Sequence, residues 1–252
     1  MIYLLTKERE KEFLSFCCDE PFFCKILSLF YCYGNSYKEI EFWIQTNDKG
    51  KTTAAVSRFG WAAVVAAENC ADFEEIDHFL MALGIQKISC RREYGRYFCQ
   101  KREFTGKIMK LKKLIRSEQN LLVTSPRLED LITLAFRTEK TNWSQEAYQQ
   151  IYVDFSHRIR HRYARTAGIY REKELVSCAM SIFETEKTAI LGAVATKEPF
   201  QNKGYATAVV TYLLRALEKE NKTIYLFRDE NKNQYFYQKI GFDNCGEWSE
   251  LS

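Results

Sequence analysis

Lys197-Glu198-Pro199-Phe200-Gln201-Asn202-Lys203-Gly204-Tyr205-Ala206 is the stretch on which the reading of this chain turns. Before it, Thr188-Ala189-Ile190-Leu191-Gly192-Ala193-Val194-Ala195-Thr196 is an apolar run of strand type. After it, Ala206, Val209, Val210, Leu213, Leu214 and Leu217 recur at helical spacing over residues 204–220. The chain must therefore leave a strand and enter a helix almost at once. Gly204 permits backbone angles and a close approach that a Cβ would block, and Ala206 leaves room above the helix start. The first turn of such a helix carries unpaired N–H groups and the positive end of the helix dipole. It suits a pyrophosphate, and Lys203 and Lys197 add positive charge nearby.

Outward from this turn the pattern is regular. Upstream, strands are expected at 167–171, 174–183 and 188–196, joined by the short polar links Glu172-Lys173 and Glu184-Thr185-Glu186-Lys187, which suit antiparallel hairpins. A short strand at 120–124 precedes them, then Ser125-Pro126 as a helix start with a capping hydroxyl and proline in the first turn. That helix is expected to reach about 137, and a second to run from Ser144 to about 162. Downstream come a strand at 223–227, a helix at 231–240 ended by Gly241, and a strand around 242–248. The order implies an α/β (α+β) fold, a mixed and mostly antiparallel sheet flanked by helices.

The last helix holds a second signature, Tyr237-Gln238-Lys239-Ile240-Gly241-Phe242. With the first stretch about 30 residues before it, this half of the chain resembles the GNAT N-acetyltransferase superfamily over residues 119–252. The resemblance implies acetyl-CoA as co-substrate and an amine, a small molecule, as acceptor, with the acetyl group passed directly between them. It implies that Gln201, Asn202, Lys203, Gly204, Tyr205 and Ala206 form the pyrophosphate loop, working mainly through backbone N–H groups, with Gln201 replacing the commoner arginine. Val194 and Thr196 match the residues whose backbone pairs with the pantetheine arm, and either Asn231 or Asn233 matches the CoA-contacting asparagine. Tyr237 matches the tyrosine that protonates the departing thiolate; a phenol with an ordinary pKa near 10 is protonated at neutral pH. An aromatic on the core face of a short helix is the other reading of Tyr237. Transfer of a different acyl group, or a CoA-binding regulatory module without chemistry, are the alternatives to acetyl transfer.

No residue stands out as general base: Glu172, Glu184, Asp229 and Glu230 sit in turns or at strand ends, where solvated charge is the expectation. His157 and His161, four apart, share a helix face, but the interleaved Arg158, Arg160, Arg162 and Arg165 would repel a cation. No metal is expected, and the stretch reads as a solvated basic helix end.

Residues 1–118 carry neither signature, yet repeat the order of elements. Helices are expected at 7–18 and 21–33, strands at 39–45, 52–58 and 61–67, a helix at 72–83 and a strand at 86–90. This half reads as an accessory domain, a degenerate GNAT-like copy, with the Lys- and Arg-rich residues 101–118 as connector. Where the loop would fall stand Glu68-Asn69-Cys70-Ala71-Asp72, and Asp72, Glu74 and Glu75 open the helix; these carboxylates would repel a pyrophosphate.

Composition fits. Hydrophobic residues make up 46% and charged residues 28%, enough for a packed core. The net charge of +4 gives no nucleic-acid footprint. Nine cysteines without a CxxC pair suit free thiols in a reducing cytoplasm. The most apolar stretches, 22–34 and 54–67, are broken by Lys25 and Arg58 and fall short of the roughly 20 apolar residues of a spanning helix.

Overall fold

The computed structural model describes residues 1–36, 39–100, 102–115, 121–136, 144–230 and 232–252. They form two compact units. The first comprises Met1–Met109, Phe227–Lys232 and Asn244–Ser252, the second Lys110–Leu226 and Asn233–Asp243. The boundary expected at 118/119 lies outside the described residues.

The first unit begins with β1 (Ile2–Leu4), α1 (Glu10–Phe16) and α2 (Pro21–Tyr33). A meander follows, β2 (Ile40–Thr46), β3 (Thr52–Phe59) and β4 (Ala62–Ala67), then α3 (Phe73–Ala82), β5 (Lys87–Arg91), α4 (Arg92–Gly95) and β6 (Glu103–Leu111). β2, β3 and β4 pair antiparallel, and β5 runs parallel to β4. The helix expected at 7–18 is shorter, because Lys7–Arg9 form a 3-10 turn and α1 ends at Phe16.

Then come α5 (Leu128–Phe136), α6 (Gln145–Arg160), β7 (Arg165–Arg171), β8 (Glu174–Glu184), β9 (Thr188–Thr196), α7 (Tyr205–Lys219), β10 (Thr223–Asp229), α8 (Gln234–Ile240) and β11 (Phe242–Leu251), all in the second unit except residues 227–229 of β10 and 244–251 of β11, which belong to the first. β7, β8 and β9 form an antiparallel meander and β10 runs parallel to β9. The two units therefore repeat one order, meander, helix and parallel strand. α7 buries Val209, Val210, Leu213, Leu214 and Leu217, the stripe that its spacing predicts.

Several expectations are corrected. Of the strand at 120–124, the described part makes one isolated bridge, Thr124 to Gly168. Ser125-Pro126 does not start the helix: α5 begins at Leu128, and the Ser125 hydroxyl lies 3.1 Å from that of Thr166 instead. Tyr170 serves that helix start, its hydroxyl accepting from the Arg127 N–H (3.1 Å) and donating to Asp130 (2.7 Å). The connector at 101–118 is a strand over much of its described length. β6 buries Ile108 and Met109, and its charges concealed that pattern because Lys107 is held at the rim by Glu247. α8 begins three residues later than expected, and the end of the helix at 137 lies outside the described residues. β11 runs on to Leu251, pairing antiparallel with β5 from Trp248↔Arg91 to Leu251↔Ile88, so the penultimate residue joins the core of the first unit.

Candidate active site

β10 pairs with β9 only from Thr223↔Thr188 to Leu226↔Leu191. Among the described residues the ladder between them ends at Leu226↔Leu191, so residues 192–196 of β9 lie beyond their pairing with β10. β9 also bulges there. Its register against β8 shifts between Cys178↔Ala195 and Met180↔Gly192, and Ala193 takes φ +50. The carbonyl so displaced is met by the buried Cys178 thiol, Sγ to O 3.5 Å. Burial pushes that thiol up to about 12, which keeps it a donor.

At the end of β9 the chain enters α7 as its sequence predicts. A 3-10 turn at Glu198–Phe200 leads to Gly204, the N-cap, at φ +83 in the left-handed region where glycine is at ease. The first helical bond is donated by Ala208 to the Gly204 carbonyl (3.0 Å), so the N–H groups of Tyr205, Ala206 and Thr207 precede the helical ladder.

These parts enclose one cleft of about 610 Å³. Val194, Thr196, Gln201, Asn202, Gly204, Tyr205, Ala206, Asn233 and Tyr237 line it together. Lys203 is exposed and outside the lining, and Asn231 lies outside the described residues. Gln201 turns its amide back on β9, Nε2 donating to the Thr196 carbonyl (3.1 Å), so its side chain pins the loop. Lys197 is tied to Glu174. Among the described residues the cation that lines the cleft is Lys239, missed in the sequence although it stands inside the second signature; its Nζ lies 4.2 Å from the centre of the Tyr235 ring. Phe200 of the turn was also missed, as were Tyr235 and Phe236, because an aromatic on a short helix reads as core; Tyr235 is 71% exposed.

Tyr237 is both a core residue and a cleft residue. It is 9% exposed, its ring meets Phe236 and Phe242 edge-on, and burial alone pushes its phenol up to about 12. The two readings of Tyr237 are therefore compatible. α8 is closed by Gly241 at φ +114, whose carbonyl accepts from the Lys112 N–H (3.0 Å) while Ile240 accepts from Ile115 (2.9 Å). A Cβ on Gly241 would lie 1.9 Å from the Lys113 carbonyl oxygen, so the motif glycine is set by a close backbone crossing.

The charged residues weighed as bases lie elsewhere. Glu184 is buried, not solvated: Arg165 and Lys222 each reach it at 2.8 Å, and Ser181 bonds it too. Asp229 pairs with Lys232, and Glu230 lies near Lys107 and Arg92. The basic helix end is corrected in the same way. Arg158 is buried against Asp154, and Arg165 is shared by Glu184 and Glu220. The His157 and His161 rings lie 4.2 Å apart, tilted by 39°, and no group of three or more potential metal ligands gathers among the described residues.

In the first unit the corresponding place is filled. β4 and β5 part after Val64↔Ser89, and Tyr94 occupies the region, its hydroxyl 3.1 Å from the Ala67 carbonyl and 2.9 Å from the Asn69 amide oxygen. Phe73 packs on Tyr94 at 4.6 Å. The Asp72 side chain already caps α3 by accepting from the Glu75 N–H (2.9 Å).

A match to the family model described as Acetyltransferase (GNAT) family covers residues 127–242, which includes both signatures and the whole cleft. Residues 127–242 are a GNAT acetyltransferase domain. The protein is accordingly an acyltransferase, with acetyl transfer as its general activity. Solved structures agree at the level of the fold. A GCN5-related N-acetyltransferase from Sphaerobacter thermophilus aligns at 11% identity and TM-score 0.64, over 99% of this chain and 94% of its own. A GNAT-family acetyltransferase from Colwellia psychrerythraea aligns at 11% identity and TM-score 0.61, over 100% and 98%. A tandem GNAT protein from the clavulanic acid biosynthesis pathway aligns at 10% identity and TM-score 0.63, over 99% and 97%, so the GNAT-like fold extends over both halves. No curated protein sequence matches the chain significantly. Among the described residues no helix is long and apolar enough to cross a membrane.

Proposed function

We propose that this protein is an acetyl-CoA-dependent N-acetyltransferase that passes the acetyl group directly to the amine of a small molecule. The observation that carries the reading is the single cleft in which the parted edge of β9, the open first turn of α7 and Tyr237 meet. The N–H groups of Tyr205, Ala206 and Thr207, with the Gly204 turn and the neighbouring Asn202, suit the pyrophosphate. Lys239 adds charge, and Val194 and Thr196 offer backbone to the pantetheine arm.

In this reading the amine nitrogen, freed of a proton to solvent, bonds to the thioester carbonyl carbon. The oxygen becomes negative and is met by a backbone N–H at the bulge of β9. The C–S bond then breaks, sulfur leaves with the electron pair and takes the Tyr237 phenol proton, and the second proton that the nitrogen sheds on becoming an amide passes through solvent to restore the phenol. Its raised pKa keeps the phenol protonated across the neutral range.

The catalytic residues belong to the half 119–252, and residues 1–118 act as an accessory, degenerate GNAT-like half, its cleft filled by Tyr94. Nine free cysteines, three of them buried, support a reducing, cytoplasmic setting. The test is Gly204→Val with acetyl-CoA. A β-branched residue at φ +83 closes the loop against pyrophosphate, so thermal stabilisation by acetyl-CoA should vanish while the ligand-free melting point changes modestly. Unchanged stabilisation, or no turnover by the parent protein across an amine panel, refutes the reading.

A further inference from the structure

A helix packed on a sheet ordinarily buries apolar side chains. α6 buries Asp154 and Arg158 instead. The two stand one turn apart and bond as a fork, Arg158 Nε to Asp154 Oδ1 at 2.8 Å and Nη2 to Oδ2 at 2.6 Å. The remaining Arg158 nitrogen, Nη1, donates to the carbonyl of Ile182 at 3.0 Å, and the guanidinium lies 4.5 Å from the centre of the Phe183 ring.

Ile182 is where β8 is irregular. Its register against β9 shifts between Ser181↔Leu191 and Phe183↔Ile190, leaving Ile182 as the extra residue. Arg158 bonds the carbonyl at that irregularity. The Ile182 side chain, in turn, covers Gly192: a Cβ there would lie 2.8 Å from Ile182 Cδ1 and 3.2 and 3.3 Å from its γ carbons. Gly192 directly precedes Ala193, the φ +50 residue of the β9 bulge, and the next residue, Val194, lines the cleft. Each link in this chain of contacts belongs to the second unit.

We propose that Asp154, Arg158 and Ile182 are positioning residues for acyl transfer. The buried ion pair fixes Ile182 on Gly192, and Ile182 on Gly192 fixes the bulge that sets the backbone of Val194 in the cleft. None of the three touches substrate. The inference rests on the cleft being the acyl-transfer site.

Turnover and melting of four proteins test it: the parent, Gly192→Ala, Gly192→Ala/Ile182→Val, and Asp154→Leu/Arg158→Met. Gly192→Ala drives Ile182 off its seat and should lower kcat about 10- to 100-fold, as small displacements at a reacting centre do, with KM for acetyl-CoA little changed. Ile182→Val removes the Cδ1 that meets the new methyl and keeps both γ carbons, so the double variant should regain most of kcat. Asp154→Leu/Arg158→Met exchanges a buried pair for apolar side chains, a change that often leaves stability equal or higher. Its kcat should nevertheless fall about tenfold or more while the melting point holds. A merely structural pair would give the opposite split. Parental kcat in Asp154→Leu/Arg158→Met overturns the proposal, and so does failure of Ile182→Val to restore Gly192→Ala. Parent protein that turns over no amine overturns the acyl-transfer reading itself, and this inference with it.

Discussion

Gly241→Ala should destabilise the second unit severely although it adds one methyl group. Two costs combine. Gly241 sits at φ +114, well outside the left-handed basin that an alanine tolerates, and such a conformation costs about 1–3 kcal/mol. The added Cβ would also lie 1.9 Å from the backbone oxygen of Lys113, which cannot rotate away as a side chain would. Relief requires one backbone to move by an ångström or more, and overpacking of that kind costs about 1–3 kcal/mol. That movement would lengthen the Lys112 and Ile115 bonds that join this crossing. The total is about 2–6 kcal/mol. Gly50→Ala is the control: its φ is +73 and nothing lies within 4 Å of a new Cβ, so strain alone, about 1–2 kcal/mol, applies. Urea unfolding followed by circular dichroism measures both, each variant acting on the transition of its own unit. If Gly241→Ala costs no more than Gly50→Ala, the close crossing is not what holds glycine in the motif.

Tyr237→Phe should lower kcat about 10²–10⁴-fold with acetyl-CoA affinity nearly unchanged, and Tyr235→Phe should not; equal turnover by both variants and the parent removes Tyr237 as the acid. Because burial raises the Tyr237 phenol from 10 to about 12, any alkaline loss of the acid in the kcat profile should lie above pH 10, and a limb below it speaks against this residue. Glu220 is held down at about 2 chiefly by its hydrogen bonds from Arg165, against an ordinary 4.5. A depressed carboxylate contributes stability above about pH 4.5 that is lost as pH falls through about 2, so Glu220→Gln should lose less stability than the parent over that window in acid titrations. Leu251→Ala should cost about 2–4 kcal/mol in the first unit because Leu251 is 3% exposed in its core; a cost under half a kcal/mol, typical of a surface site, would refute the pairing of β11 with β5.

What the sequence determined by itself is local. Helical spacing in residues 204–220 fixed the buried face of α7, and a glycine between strand and helix marked the left-handed N-cap at Gly204. The polar links at 172–173 and 184–187 placed the meander. Each of these depends on neighbours within one turn or one hairpin, so each was legible without a partner. The tertiary structure decided the rest. Residues 103–111 read as linker, but they form a strand whose Ile108 and Met109 are buried by the folded chain. Arg158 read as solvated charge until Asp154, Ile182 and Phe183 surrounded it, and Lys197 read as positive charge near the pyrophosphate turn until Glu174 claimed it. Asn244–Ser252 follow α8 in the sequence but belong to the first unit, where β5 offers them an edge. Strand pairing and charge pairing depend on which distant groups arrive at 3–5 Å, and periodicity and capping carry no information about that distance.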